Sequence, residues 1–198
     1  HGLITRDEAR QIADHERWLQ NLRIRLHFLA ARREDRLLFD VQTLLAKDLG
    51  FADRGFKRAS EHLMQRYYRT AKAVSQLNLI LLLNLKARVV PGPAAEQRTI
   101  NERFVAFNEL LQPAREDLFE ERPGAILESF LLLQKHPELK GMSPSCLRGL
   151  WRAGPKIDAA FRRDPANRAL FMEILRQPRG ITHELRRMNQ CGVLGRYI

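Results

Sequence analysis

Between residues 23 and 40 the chain gathers Arg23, His27, Arg33, Asp35, Arg36 and Asp40: three guanidinium groups, one imidazole and two carboxylates. Guanidinium groups bind phosphate and carboxylate through paired N–H donors. An imidazole titrates near neutral pH, so it can give or take a proton. Two readings follow. In one, His27 joins Arg23, Arg33 and Arg36 in a polar cluster that faces a bound nucleotide or a neighbouring domain, with Asp35, Asp40 and Gln42 lining it. In the other, His27, set between Leu26 and Phe28 one turn after Arg23, is a partly buried, hydrogen-bonded side chain, and the carboxylates cap helices and pair with arginines. The second is the plainer reading, and residue types alone do not decide between them.

Other chemistry is less well supported. Arg10-Gln-Ile-Ala-Asp-His15 has the Arg-x4-His spacing used by small helical ribonucleases, where His acts as acid or base and Arg stabilises a phosphate transition state. With 27 arginines in the chain such a match arises by chance, and a solvated helix face is the simpler account. Tyr67-Tyr68-Arg69 and Trp151-Arg152 pair aromatics with Arg as single-strand nucleic-acid binders do. Core aromatics with an Arg reaching past them to water give the same pattern. The chain has no Asp-x-Asp, no His-Asp dipeptide, no His-Glu-x-x-His, no Cys-x-x-Cys, no Gly-x-Ser-x-Gly and no P-loop. Metal-dependent nucleotidyl transfer and His-Asp phosphohydrolysis need what is missing, so no catalytic residue and no metal ligand is assigned.

At 198 residues and 44% hydrophobic content the chain can bury a substantial core. The apolar run Leu77–Leu85, broken by Asn78 and Asn84, is far shorter than the roughly 20 residues of a membrane span. The start carries Asp7 and Glu8 and no apolar signal region, so the chain is expected in the cytoplasm, away from membranes. Cys146 and Cys191 are read there as free thiols, with one disulfide between them the alternative. The net charge of +11 is uneven. Residues 1 to 72 carry 15 basic and 10 acidic groups, 73 to 142 carry 8 and 9, and 143 to 198 carry 11 and 4. A basic final third raises nucleic-acid binding as a minor option; nucleic acid is not an expected partner.

These side chains must be positioned by helices. Thr5-Arg6-Asp7-Glu8 is a capping box, and Ile12, Leu19, Leu22, Leu26 and Leu29 predict a helix over about 6 to 31. Asp35 is expected to cap a second, with Leu38, Val41 and Leu45 as its stripe and Gly50 as its left-handed end. A third is expected to begin at Asp53, put Phe56, Ala59, Leu63, Tyr67, Ala71 and Val74 on one face, and run to about Lys86, with Leu77–Leu85 central. Pro91-Gly92-Pro93 should stop it and open an irregular stretch to about 122, with a short hairpin possible near 103–111. Pro123 suits a first helical turn, and that helix should run to about Gln134. Ser143-Pro144 and Asp164-Pro165 read as N-cap and first position of further helices, one broken by Gly154-Pro155 and the other running to about Arg176. Thr182 is expected to cap a last helix to Gln190, stopped by Gly192. The fold class expected is all-α, a bundle of about seven or eight helices in a single helical domain over 1–198, with 1–90 and 99–198 as candidate halves.

Several of these segments together resemble a known family. Leu26-His27, a short Arg-bearing spacer, Glu34-Asp35-Arg36-Leu37-Leu38-Phe39-Asp40 and Gln42 resemble the helical region of the bacterial PII uridylyltransferase/uridylyl-removing enzyme. Leu45-Ala46, Leu49-Gly50-Phe51, Met64-x-x-Tyr67-Tyr68, Phe119-x3-Pro123-x-x-Ile126-Leu127-x-x-Phe130, Leu147-Arg148, Leu170-Phe171 and Ile174-Leu175 follow in the family's order. The ending, Leu185-Arg186-Arg187-Met188-Asn189 then Gly192-Val193-Leu194-Gly195-Arg196-Tyr197-Ile198, is the most specific match.

The resemblance implies an all-helical piece of a multifunctional nitrogen-regulation enzyme, lying between a nucleotidyltransferase domain and a His-Asp hydrolase domain. In that family the transferase attaches UMP from UTP to the PII signal protein, and the hydrolase removes it. The resemblance therefore implies PII, UTP and the flanking domains as partners, and Mg2+ for the parent enzyme, with no cofactor in this region. The region would be scaffold and docking surface, with Arg23, His27, Arg33, Asp35, Arg36 and Asp40 as the docking cluster. Alternatives are the equivalent region of glutamine synthetase adenylyltransferase, a stand-alone ribonuclease on Arg10 and His15, and a nucleic-acid-binding module.

Overall fold

The structure, a computed structural model, describes residues 2–89 and 97–198. By its contacts the chain divides into two compact units, His1–Leu81 and Leu82–Ile198, a division that falls inside one helix.

In the first unit α1 spans Arg6–Ala30 and α2 Phe39–Asp48, and α3, Ala59–Val89, begins there and is the helix in which the division falls. The capping box forms as the sequence predicts: Glu8 N–H donates to Thr5 Oγ1 at 3.1 Å, and Thr5 N–H donates to the Glu8 carboxylate at 2.7 Å. Gly50, at φ +78°, ends α2, with its N–H donating to Lys47 O and that of Phe51 to Ala46 O. The core joins Leu22 and Leu26 of α1, Leu45 and Ala46 of α2, and Ala59 and Leu63 of α3, with Trp18, Leu37, Val41 and Tyr67 packed on it.

Three expectations for this unit are corrected. Asp35 does not cap α2, whose N-cap is Leu38 without a side-chain bond; Asp35 is held by partners on α1 instead. Residues 53 to 58 form a turn rather than the start of α3, because Gly55 takes φ +58° there, and Phe56 is exposed instead of buried. The Leu77–Leu85 run is central on one side only. Leu77 and Ile80, one turn apart, are buried, whereas Leu79, Leu82 and Leu85 on another face are exposed. The expected stop at Pro91-Gly92-Pro93 lies outside the described residues.

The second unit overturns the all-α bundle of seven or eight helices. The chain is mostly helical, but its described residues make ten α-helices, one 3-10 turn and a four-stranded sheet. The strands β1 Gln97–Thr99, β2 Phe104–Phe107, β3 Leu110–Pro113 and β4 Gly141–Met142 lie in that order, the first three antiparallel and the last parallel to β3. The hairpin expected near 103–111 is β2–β3, closed by Asn108 and Glu109, both at positive φ as a type I′ turn requires. Glu109 tolerates this because Lys140 grips it twice, by an ion pair and by donating its N–H to Glu109 O at 2.8 Å.

After the hairpin come α4 Leu118–Glu121, α5 Ala125–Lys135, α6 Pro144–Ala153, a 3-10 turn Gly154–Lys156, α7 Ala159–Arg163, α8 Pro165–Arg176, α9 Ile181–Gln190 and α10 Leu194–Tyr197. Pro123 stands before α5 rather than in its first turn. Ser143 caps α6 by accepting from Cys146 N–H at 3.2 Å, and Asp164 caps α8 by accepting from Ala166 N–H at 2.8 Å, both as expected. Thr182 does not cap α9; Gly180 does, at φ +80° and without a side-chain bond. The core runs through Phe104, Leu111, Phe119, Ile126, Leu127, Phe130, Leu150, Ile174 and Met188. Arg103, just before β2, locks onto α5 by a bidentate pair with Glu128 (2.7 and 2.8 Å).

Candidate functional site

The cluster singled out from sequence lies where the chain leaves α1 and turns toward α2. Arg23 and His27 are one turn apart on α1, so both side chains sit on the same face. Both reach Asp35 in the extended connection. Arg23 donates through Nε to Asp35 Oδ1 at 2.6 Å and through Nη2 to Oδ2 at 3.2 Å, and His27 Nε2 lies 3.3 Å from Oδ1. The Arg23 guanidinium, and after it His27, holds the Asp35 carboxyl below the usual carboxylate range.

Arg33 and Ile24 complete an open cleft of about 540 Å³ with these three residues. Arg33 has no ion-pair partner among the described residues, so its donors are available to an incoming anion. Two of the six residues are not gathered there. Arg36 turns to Glu34, and Asp40 sits exposed in the first turn of α2, outside the cleft lining.

Glu34 is the organising residue that sequence reasoning passed over. Only 7% exposed, it accepts from the Arg36 N–H at 3.0 Å, from Arg32 Nη2 at 3.0 Å and from Arg36 Nε at 3.4 Å. The backbone donor of Arg36, ahead of the two guanidiniums, draws its pKa down. The signal was present as Arg32-x-Glu34-x-Arg36, a spacing of two that suits an extended strand-like path rather than a helix. Arg25 adds a second tie, donating from Nη1 to the backbone carbonyl and the carboxylate of Asp48 at the end of α2 (2.9 and 2.7 Å). Exposed Phe28 and Phe39 on either side of the connection make the surface mixed, ionic with apolar flanks.

The competing sites come apart. Arg10 pairs with Asp7 at 2.7 Å, and five helical residues turn about 140°, so Arg10 and His15 do not share a face. Tyr67 packs on the core of its unit, and Arg66 stacks over Trp18 at 4.9 Å. Arg152 donates to Glu116 O at 3.2 Å. In the second unit, Pro178, Arg179, Thr182, His183 and Arg186 line an open cleft of about 650 Å³. Cys146 and Cys191 are not joined in a disulfide, and burial pushes the Cys146 thiol far up. Among the described residues no three His, Cys, Asp or Glu side chains come together to hold a metal ion, and no helix is long and apolar enough to cross a membrane.

Comparison with known proteins gives a consistent likeness along the chain. The family described as uridylyltransferase GlnD third domain matches residues 104–197, and the one described as GlnD PII-uridylyltransferase matches residues 1–82. The bifunctional uridylyltransferase/uridylyl-removing enzyme of Nitrosospira multiformis is 57% identical over 197 residues, covering 100% of this chain and 22% of that protein. Those of Cupriavidus metallidurans and Bordetella avium are 51% and 50% identical, again over 100% of this chain and 23% of theirs. The chain thus spans less than a quarter of the length of these relatives. No solved structure matches it.

Proposed function

We propose, from the premise that the chain belongs to the GlnD family of bifunctional uridylyltransferase/uridylyl-removing enzymes, that it is the helical interdomain segment of such an enzyme. In this reading the longer protein attaches UMP from UTP to PII and removes it again in the cytoplasm. The present region is scaffold and docking surface between the nucleotidyltransferase and His-Asp domains. The observation that carries the reading is identity of 50% to 57% along the whole chain, over less than a quarter of each relative. The uridylyl name of these relatives favours this over glutamine synthetase adenylyltransferase.

Mg2+ would serve the transfer step by neutralising triphosphate charge. We assign that Mg2+ to another part of the longer protein, since among the described residues no three His, Cys, Asp or Glu side chains come together. What the chain's own side chains offer is a fixed ionic surface. Glu34 pins the connection, Asp35 aligns Arg23 and His27, and Arg33 is left open to a phosphate or carboxylate. Arg36 and Asp40 lie outside that cleft, and in this reading they are outlying members of the docking cluster whose centre is Arg23, His27, Arg33 and Asp35.

The test uses the full-length enzyme. Asp35→Asn and Arg36→Ala should each lower UMP transfer to PII severalfold while leaving thermal unfolding unchanged. Transfer at the wild-type rate in both overturns the docking role. The 198-residue chain alone, given PII, UTP and Mg2+, should transfer no UMP, and turnover by it would overturn the scaffold reading.

A further inference from the structure

We propose that Phe56 is an anchor that inserts into an apolar socket rimmed by carboxylates, located on another part of the longer polypeptide. This deepens the scaffold reading and rests on it. The turn that carries Phe56 is built, not slack. Arg54 N–H donates to Lys57 O at 3.0 Å and Lys57 N–H returns to Arg54 O at 3.1 Å, while Gly55 supplies the left-handed φ of +58° that closes the turn. Asp53 Oδ1 accepts from Ala59 N–H at 2.7 Å, and Arg58 N–H donates to Glu61 Oε2 at 3.3 Å, so both ends are fastened to the start of α3.

At the tip the Phe56 ring is 107% exposed, against 83% for Phe39 and 82% for Phe28. Nothing in its own unit covers it. Arg54, Lys57 and Arg58 surround it in sequence, all exposed and none with an ion-pair partner among the described residues. An aromatic ring held on a fixed turn gives up little freedom on docking, which is the property of an interface anchor. Three cations without ion-pair partners on the same turn as an apolar ring are complementary to a carboxylate-edged apolar pocket. The source follows from length: the relatives carry more than three quarters of theirs outside the matched region.

Hydrogen exchange in the full-length enzyme tests this. The Gly55 and Phe56 amides at the tip should exchange at least tenfold slower in the wild type than in Phe56→Ser, a surface substitution that leaves the turn's own hydrogen bonds in place. Raising salt to 1 M should erase most of that difference by screening the rim. Equal exchange in the two proteins overturns the anchor, and protection indifferent to salt overturns the acidic rim. Protection that fades on dilution, or that appears only when PII is added, places the socket on a second molecule and overturns the intramolecular assignment. The Asp35 and Arg36 variants read a different surface: protection at the turn with unimpaired transfer in those variants removes the docking cluster and keeps the anchor.

Discussion

Gly149 of α6 lies against the ring of Phe119 in α4 so closely that a Cβ on it would stand 2.6 Å from Phe119 Cδ2 and 3.0 Å from Cε2. The missing side chain is what lets the two helices meet over a fully buried ring. Gly149→Ala should therefore destabilise the protein by about 1–3 kcal/mol, the usual cost of overpacking a tight core. Thermal unfolding checks it, and Phe119→Leu introduced alongside should recover part of the loss. An unchanged melting temperature in Gly149→Ala would show that the two helices can part at no cost.

Glu138 gives a pH dependence with a definite sign. Arg98 of β1, ahead of its own backbone N–H and His136, pulls its carboxyl down to about 2. A folded-state value below the unfolded one means that the contribution is complete above the unfolded pKa, near 4.5, and is lost as pH falls toward about 2. Urea titrations of wild type and Glu138→Gln should differ by a constant amount above pH 5 and converge between about pH 4.5 and 2. A gap that stays constant down to pH 2 would refute the Arg98 pairing in solution.

Glu184 runs the other way. Burial raises its carboxyl, with Arg187 only partly opposing, and Oε2 has no hydrogen-bond partner among the described residues. For an acid whose folded pKa lies above the unfolded one, the favourable contribution exists below the unfolded pKa and fades as pH rises through the folded one. Wild type should lose stability relative to Glu184→Gln as pH climbs above about 4.5. Parallel pH profiles for the two proteins would show that Arg187 compensates the charge fully.

Removing the Glu34 carboxylate should free the 31–38 connection without unfolding its unit. In Glu34→Ala, trypsin should cut after Arg32, Arg33 or Arg36 roughly tenfold faster, as expected when a local opening becomes easier. The melting temperature should move little. Unaltered digestion would mean that Asp35 alone holds the segment.

Ser143→Ala should cost about 1 kcal/mol, the typical loss of a helix N-cap, read as a lower urea midpoint at unchanged slope. Asp164→Ala should behave alike, since its side chain also accepts a first-turn N–H. No change in either variant would show that water replaces the cap.

The parts of this fold that sequence revealed are those fixed by near neighbours. Thr5, Ser143 and Asp164 cap helices through donors two or three residues away, and Gly50 and Gly192 end helices through their own φ. What misled is non-local. Asp35 has the residue type of a cap, but Arg23, twelve residues back, competes for it. β1 and β4 hold three and two residues, too few to show alternation, and β4 joins β3 only after α5 has intervened. Phe56 fits the helical stripe by spacing, yet Gly55 breaks the helix one position earlier. Four of the six cluster residues were legible as neighbours because one helical turn and one short connection join them. Glu34 was not, because its importance comes from burial.

The brevity of β1 and β4 has a result for how the protein behaves in concentrated solution. They flank the sheet, and a flank of two or three residues offers few open amides to a strand from another molecule. Crowded copies thus find little there on which to stack into fibrils, and the apolar hairpin β2–β3 stays shielded at the centre.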